Sequence, residues 1–343
     1  MGVQFGDIVS RRKLDLPELS GKAMAIDGYN TLYQFLAIIR GVDGTPLMDR
    51  ARRVTSHLSG LLYRSSNLME NGVRLVYVFD GEPPTLKEAE IKRRMGVKEE
   101  ALRKYEEAIK VGRMEEARMY AQATSVVKDY MVDDAKRLLS LMGIPWVQAP
   151  SEGEAQAAYM AIRGDVWAAA SQDYDSILFG APRLLRNVTI TGRRKLPRKN
   201  VYIEVEPELV ELNQLLTELD LTREQLVDLG ILIGTDYNPQ GVRGIGPKTA
   251  LKLLRSHGRL ESLPEFKEIS LPVDVSRIRS IFLNPEVTSN YRIEWKPPDV
   301  EGVVAFLCGE RDFSEERVRK ALEKIVAGSR EARSKATLEK WFG

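Results

Sequence analysis

The sequence predicts an α/β domain built on a central, mainly parallel sheet. Four short, continuous apolar runs carry that expectation: "AMAI" (23–26), "RLVYVF" (74–79), "IPWV" (144–147) and "DVWAAA" (165–170). Each is followed by helical periodicity, the pattern of strands buried on both faces and joined by crossover helices. A second observation is that carboxylates follow every one of these runs. A third is a long segment, 86–125, that is strongly helix-forming yet poor in large apolar residues, so it has little to bury against a sheet.

The elements follow in order. Helical patterns cover Thr31 to Ile39, Val54 to Glu70, Val126 to Met142 and Glu154 to Ile162, between and after the strands. Segment 86–125 reads as an exposed or projecting helical hairpin. From Leu221 onward the chain is helical, around "LTREQLVDLGILIGTDY" and "GPKTALKLLRSHG". "FSEERVRKALEKIVAG" forms a further amphipathic helix with a stop expected at Gly328. The last residues, "SREARSKATLEKWFG", read as a polar tether with a sudden apolar end.

Composition narrows the chemistry. With 343 residues, 43% of them hydrophobic, the chain can bury one large or two ordinary cores. It shows neither a membrane-length apolar run nor a signal-peptide h-region, so a soluble protein of a reducing compartment is expected. Cys308 is the single cysteine and His57 and His257 the two histidines, which excludes a disulfide framework and a thiolate zinc site. Few Cys and His beside 29% charged residues accord with a thermophile. Net charge is only +2, but the charge is segregated. Residues 176–203 carry Arg183, Arg186, Arg193, Arg194, Lys195, Arg198 and Lys199 and no acid; 237–260 carry Arg243, Lys248, Lys252, Arg255 and Arg259 and no acid. Such blocks are ordinarily solvated faces; next to an acidic site they become candidate phosphate-binding surfaces.

The acids are the strongest signal. Asp27 follows the first run and Asp80 the second; Glu152 and Glu154 follow the third, Asp173 and Asp175 the fourth. In open parallel sheets the functional crevice lies at the carboxyl ends of the strands, so these six should converge on one rim, with Asp236 of "LIGTDYN" a seventh. One Asp after a strand is most often a turn or cap residue. A whole set repels itself unless cations neutralise it. Hard oxygen donors without His or Cys select Mg²⁺, with Mn²⁺ as a substitute, and a pair of such ions suits in-line displacement at phosphorus. Asp173 and Asp175, at i and i+2, would share a side of an extended chain.

Other phosphate chemistries fit poorly. In "GVRGIGPKTA" Pro247 separates Gly246 from Lys248, so no Walker A loop is present. The "DYD" pair mimics the Asp-x-Asp of haloacid dehalogenase phosphatases but comes late in the chain. "RGIGPKTALKLL" has its own reading: Gly244 and Gly246 permit a tight hairpin, Pro247 suits a first helical turn, and Lys248 adds charge where backbone N–H groups could hold a DNA phosphate.

These motifs resemble the flap endonucleases of the XPG-type structure-specific 5′ nuclease family, in their short archaeal form. The stretches that carry the resemblance are "IDGYNTLYQFL", "ENGVRLVYVFDGEPP", "PSEGEAQAAYM", "SQDYDSILFG", "IGTDYNPQGVRGIGPKTA" and "FLCGERDFSEERV", spread over nearly the whole chain. The resemblance implies a PIN-like nuclease core with a helical arch and a helix-hairpin-helix DNA-binding unit. It divides the chain into residues 1–98 (core and start of the arch), 99–125 (rest of the arch), 126–260 (core with the helix-hairpin-helix), 261–328 (C-terminal helical region) and 329–343 (flexible tail). It assigns Asp27, Asp80, Glu152, Glu154, Asp173, Asp175 and Asp236 to two Mg²⁺ ions, and Lys87 and Arg94 to catalysis. Spacing i, i+7 would put those two cations on one helical face, about 10 Å apart.

The family's DNA-contacting positions fall on Gly2, Tyr33, Arg40, Arg64, Gly234, Gly244, Gly246 and Lys248. Tyr33 matches an aromatic that stacks on an unpaired base, and relatives hold a monovalent cation at the hairpin. The tail is similar to a sliding-clamp interaction box, Gln-x-x-Leu-x-x-aromatic-aromatic: Leu338, Trp341 and Phe342 match, while Lys335 stands at the glutamine position. Expected partners are therefore 5′-flap DNA and a sliding clamp, for a monomer at the nucleoid of an archaeal cytoplasm in Okazaki-fragment maturation and base-excision repair. Two rivals stay open at this point: a 5′–3′ exonuclease or PIN-type ribonuclease with little flap preference, and a non-catalytic duplex-binding scaffold. The seven acids argue against the scaffold, the long arch against a small ribonuclease.

Overall fold

The structure is a computed structural model that describes residues 2–41, 44–190, 192–195, 202–263 and 274–342, with the side chains of 329–342 outside that description. After β1 (Arg12–Lys13), the apolar run ending in Asp27 forms β2 (Ala23–Asp27) and leads directly into α1 (Gly28–Ile38) and α2 (Ser56–Glu70). Next come β3 (Arg74–Phe79), α3 (Glu88–Lys110), α4 (Met114–Ala123), α5 (Asp129–Leu141), β4 (Trp146–Gln148) and α6 (Gly153–Ile162). The other side of the sheet is formed by β5 (Ala168–Ala170), β6 (Arg183–Arg186) and β9 (Glu208–Glu211), with α7 (Asp175–Leu178) after β5 and a separate two-stranded sheet of β7 (Gly192–Lys195) and β8 (Tyr202–Val205) between β6 and β9. The remainder is helical: α8 (Leu212–Leu219), α9 (Arg223–Ile233), α10 (Pro247–His257), α11 (Val275–Leu283), α12 (Val300–Val304) and α13 (Glu315–Phe342).

The main sheet has seven strands in the order β1-β9-β6-β5-β2-β3-β4. The pairings β2·β3, β3·β4, β2·β5 and β5·β6 are parallel; β6·β9 and β9·β1 are antiparallel. The expected mainly parallel sheet is present, with an antiparallel margin that the four apolar runs did not announce. Side chains alternate between two cores: Ala25, Val76, Val78 and Ala169 face one, Met24, Ile26, Leu75 and Tyr77 the other. Burial on both faces explains why these strands read as unbroken apolar runs.

The topology places the acids. The chain runs β2, β3, β4 in one direction, then crosses back so that β5 joins the other side of β2. The four strands that precede the acids are thus neighbours in the sheet, and the gap between β2 and β5 is the switch point where α/β sheets open a crevice.

Three expectations change. The runs at 144–147 and 165–170 pair only over 146–148 and 168–170, because their first residues complete the turns that lead in. No stop occurs at Gly328: α13 continues to Phe342. A Cβ there would lie 1.7 Å from the Met69 carbonyl oxygen, so this glycine admits close packing against the end of α2 instead of ending a helix. The stretch read as a tether is rich in helix formers and extends the same helix; the side chains of Lys335, Leu338, Trp341 and Phe342 lie outside the described residues. The arch corresponds to α3 and α4, and the 98/99 division falls inside α3.

Candidate metal centre and nucleic-acid interface

Each acid but Asp236 sits where the backbone turns from strand to helix. Asp27 is the N-cap of α1 and accepts from the Asn30 backbone N–H at 2.9 Å. Asp80 follows β3 and accepts from the Gly153 N–H at 2.6 Å, so it serves the start of α6, where Glu152 is the N-cap and Glu154 lies in the first turn. Asp173 accepts from the Asn30 side-chain amide at 3.0 Å, and Asp175, first residue of α7, accepts from the Val3 N–H at 2.8 Å. Asp236 stands two residues past Gly234, which ends α9 with a positive φ of 109°.

The pair Asp173 and Asp175 is not extended. The Ser171 hydroxyl accepts from the Asp173 N–H at 3.2 Å and bends the chain just past β5. Tyr174 is helical and Asp175 opens α7, so the two acids are held by different partners and do not share a strand face.

Crowding shows in the acids' protonation. Burial, then Asp80 and Asp173, push Asp27 up to about 8 against the Asn30 N–H and Lys87. Asp175 is pushed up to about 7 by burial, Asp236 and Asp173, and Asp80 to about 6, chiefly by burial. Burial, with Asp175, Asp27 and Asp173, raises Glu154 well above the usual carboxylate range. These mutual effects tie all seven acids into one field.

Two cations enter it from the arch side. Lys87 ion-pairs with Glu152 and, at 3.1 Å, with Asp236; Arg94 hydrogen-bonds Asp236 as well. Burial disfavours the charge on Lys87, but Glu152, Asp236 and Asp80 outweigh it and hold the amine firmly protonated. Lys87 lies on a 3₁₀ turn, Thr85–Lys87, and Arg94 on α3, so the two do not share one α-helical face; they converge through side-chain length. Among the described residues no three acids close into a ready ion cage as they are placed here. The donor set nonetheless fits hard divalent cations: buried or half-buried oxygens, no thiolate or imidazole, and more carboxylates than the two protein cations balance.

Sequence reasoning passed over three neighbours. Asn30 bridges Asp27 and Asp173, and the Tyr237 hydroxyl donates to Glu152 while its ring packs edge-on at 5.5 Å from Phe282. Glu90, buried on the arch, grips Arg93 and Arg94. Position was the available signal for the first two: Asn30 follows Asp27 by three residues, and Tyr237 directly follows Asp236.

The expected DNA-contacting residues are more dispersed. Gly2 is buried against Asp175: a Cβ there would lie 2.5 Å from its Oδ1. Tyr33, on α1, is half-buried, and Lys98 of α3 lies 4.2 Å from its ring centroid and donates to its hydroxyl at 3.1 Å. Arg40 is committed internally, to the Leu36 and Gly44 carbonyls at 2.9 Å and the Ser125 hydroxyl at 2.8 Å. Arg64, on α2, is half-buried, and its pKa is lowered by that burial. Gly244 has φ 85° and Gly246 is the N-cap of α10, with Pro247 at its first position and Lys248 exposed beside it. That is the hairpin-to-helix geometry the sequence suggested.

The basic blocks divide. Arg183 pairs with Glu211 at 3.5 Å and Arg186 with Glu208 at 3.2 Å and the Tyr174 hydroxyl at 2.8 Å, so these two tie β6 to its surroundings. Arg255 donates to the Leu219 and Glu218 carbonyls at the end of α8. Arg243, Lys248, Lys252 and Arg259 are exposed. The side chains of Arg193, Arg194 and Lys195, and the whole of Arg198 and Lys199, lie outside the described residues.

With this geometry in hand, known proteins place the chain. The profile of the XPG N-terminal domain matches residues 1–101 and that of the XPG I-region residues 143–236. Flap endonuclease 1 of Hyperthermus butylicus is 58% identical over 338 residues, 96% of either chain. Among solved structures, flap endonuclease-1 from Methanococcus jannaschii superposes with a TM-score of 0.75 at 47% identity, over 94% of this chain and 98% of that one. The catalytic core of Rad2 in complex with DNA substrate gives 0.72 at 25% identity, over 95% and 100%. Both matched segments contain rim acids, Asp27 and Asp80 in the first and the other five in the second.

Proposed function

The chain belongs to the XPG nuclease family, in its flap endonuclease 1 branch, and from that premise we propose a divalent-metal-dependent 5′ flap endonuclease that also works as a 5′–3′ exonuclease. The observation that carries the proposal is the acid rim at the β2/β5 switch point with Lys87 and Arg94 joined to it through Asp236.

In this reading Asp27, Asp80, Glu152, Glu154, Asp173, Asp175 and Asp236 hold two Mg²⁺ ions. Held by these residues, the ions would supply charge neutralisation of the clustered acids and Lewis-acid assistance to the attacking water and the leaving oxygen. The chain's own residues supply the rest. Asn30, Gly153 N–H, Val3 N–H and Tyr237 fix carboxylate orientations before substrate arrives. Lys87 and Arg94 exchange Asp236 for the scissile phosphate and stabilise the charge that builds on it. The duplex is held without sequence reading at the Gly244–Lys248 turn, where exposed N–H groups and Lys248 meet phosphate, with a monovalent cation as helper. Tyr33 stacks on an unpaired base once Lys98 leaves its ring. Rad2's core was solved with DNA substrate on the same fold, which supports a branched-DNA substrate here. We assign the activity to Okazaki-fragment maturation and base-excision repair at an archaeal nucleoid, with the enzyme a monomer tethered to a sliding clamp through Leu338, Trp341 and Phe342. Among the described residues no helix is long and apolar enough to cross a membrane.

The test is cleavage of a labelled double-flap DNA against blunt duplex and single strand, with and without Mg²⁺. Incision at the junction only with Mg²⁺ is expected. Equal cutting of all three substrates would replace the reading with an unselective exonuclease, and binding without cutting with a scaffold.

A further inference from the structure

We propose that Glu90 is a positioning residue for cleavage: it pins one edge of the Arg94 guanidinium so that the other edge pivots between Asp236 and the substrate phosphate. This rests on the role given to Arg94 above.

The buried positions of α3 are Glu90, Ala101 and Ala108, so an acid takes one of the few buried sites of this helix. Glu90, Arg93 and Arg94 stand at i, i+3 and i+4, on one face. The Glu90 Oε1 accepts from Arg94 Nε at 2.8 Å and from Arg93 Nη2 at 2.7 Å; Oε2 accepts from Arg93 Nε at 2.6 Å. An exposed i, i+4 ion pair contributes little. This one differs because the Glu90 side chain is only 3% exposed, while Arg94 keeps 32% of its side chain in solvent. The carboxylate is shielded from solvent and the guanidinium is its outward arm.

Arg94 bridges two acids of different status. Its Nε holds Glu90, which belongs to its own helix; its Nη2 reaches Asp236, which belongs to the rim. A phosphate near the rim competes for the Nη2 edge and leaves the Nε edge in place. The guanidinium then turns about a fixed point instead of searching from a free rotamer, which is what pre-organisation of a transition-state donor requires. Arg93 donates to both carboxylate oxygens, so Oε1 is shared between Arg93 and Arg94 and neither oxygen is left without a partner.

The experiment is single-turnover cleavage of double-flap DNA at saturating enzyme by E90Q and E90A, each alone and combined with R94A. Thermal unfolding is run alongside. Glutamine keeps the volume of Glu90, so a folding defect in E90A leaves E90Q interpretable. E90Q should slow cleavage by about tenfold with DNA affinity unchanged, and by less than about twofold when Arg94 is already alanine. An equal factor in both backgrounds, or an unchanged rate in both Glu90 variants, overturns the proposal. A second readout needs no cleavage: in ¹⁵N-arginine-labelled protein the Arg94 Nε–H resonance, identified by its loss in R94K, should be protected from exchange in the wild type and lose that protection in E90Q. Protection that survives in E90Q overturns the anchor. A wild type that fails to cut flaps while the resonance behaves as expected would refute the functional reading and leave the Glu90–Arg94 anchor standing.

Discussion

The acid rim and the arch meet at Asp236, but they are built in opposite ways. All rim acids but Asp236 follow buried strands, and several are held by backbone N–H groups: Asp27 by Asn30, Asp80 by Gly153, Asp175 by Val3. Their positions therefore do not depend on their own charge balance, and like charges can be kept close. The arch buries only three residues of α3 and leaves Met95, Val97, Leu102 and Ile109 exposed. It reaches the site through the long side chains of Lys87 and Arg94, held by ion pairs that another anion can replace. Rigid acids and exchangeable cations are the division of labour that a site for a passing phosphate calls for.

The largest effect that would test this division comes from the rim. Asp173→Ala or Asp175→Ala should reduce Mg²⁺-dependent cleavage to below about one per cent, with junction binding largely kept, because in the proposed reading these acids hold ions and not DNA. Residual cleavage above a few per cent in both variants would break the assignment. Next come the arch cations: Lys87→Ala and Arg94→Ala should each slow single-turnover cleavage about 10²-fold at unchanged affinity. Weak binding with normal cleavage once saturated would make them grip residues and erase the contrast.

A smaller effect sharpens the contrast within the rim. Tyr237→Phe removes one donor from Glu152 and keeps the ring against Phe282. A lost hydrogen bond to a carboxylate is worth about 1.5–3 kcal/mol; because Lys87 still holds Glu152, only the low end of that range should reach the transition state, a rate loss of roughly tenfold in stopped-flow cleavage. No loss would mean that Lys87 alone orients Glu152.

The smallest catalytic effect is expected at the buried His57, in the first turn of α2. Neither ring nitrogen has a hydrogen-bond partner among the described residues, and burial, assisted by Arg311, lowers its pKa to about 3. A base whose folded pKa lies below the ordinary 6.5 favours the fold while neutral. That stability is complete above about pH 6.5 and is lost as pH falls towards 3, reaching about 2 kcal/mol at pH 5. His57→Leu should thus leave flap cleavage at pH 7.5 intact and flatten the acid limb of a urea-unfolding series. A pH profile parallel to that of the wild type would refute the account.

The sequence by itself determined the parallel strands, because burial on both faces forces unbroken apolar runs that are visible without coordinates. It also determined which acids gather, since any residue just past such a strand must lie at the sheet's carboxyl edge. The exposed arch was legible for the complementary reason, a helix former with little to bury. Tertiary structure alone decided strand order, which put the β5 acids beside Asp27 instead of beyond Glu154, because crossover direction is set by packing against both cores. It also decided that Arg40, Arg183 and Arg186 are internal ties and that Glu90 is buried, since a charge's distant partner (Ser125 for Arg40, Glu211 for Arg183, Glu208 for Arg186), or its depth in the fold, leaves no local trace. Gly328 shows the limit most plainly: its single hydrogen can end a helix or admit a neighbouring carbonyl, and only the neighbour, Met69 on α2, selects between them.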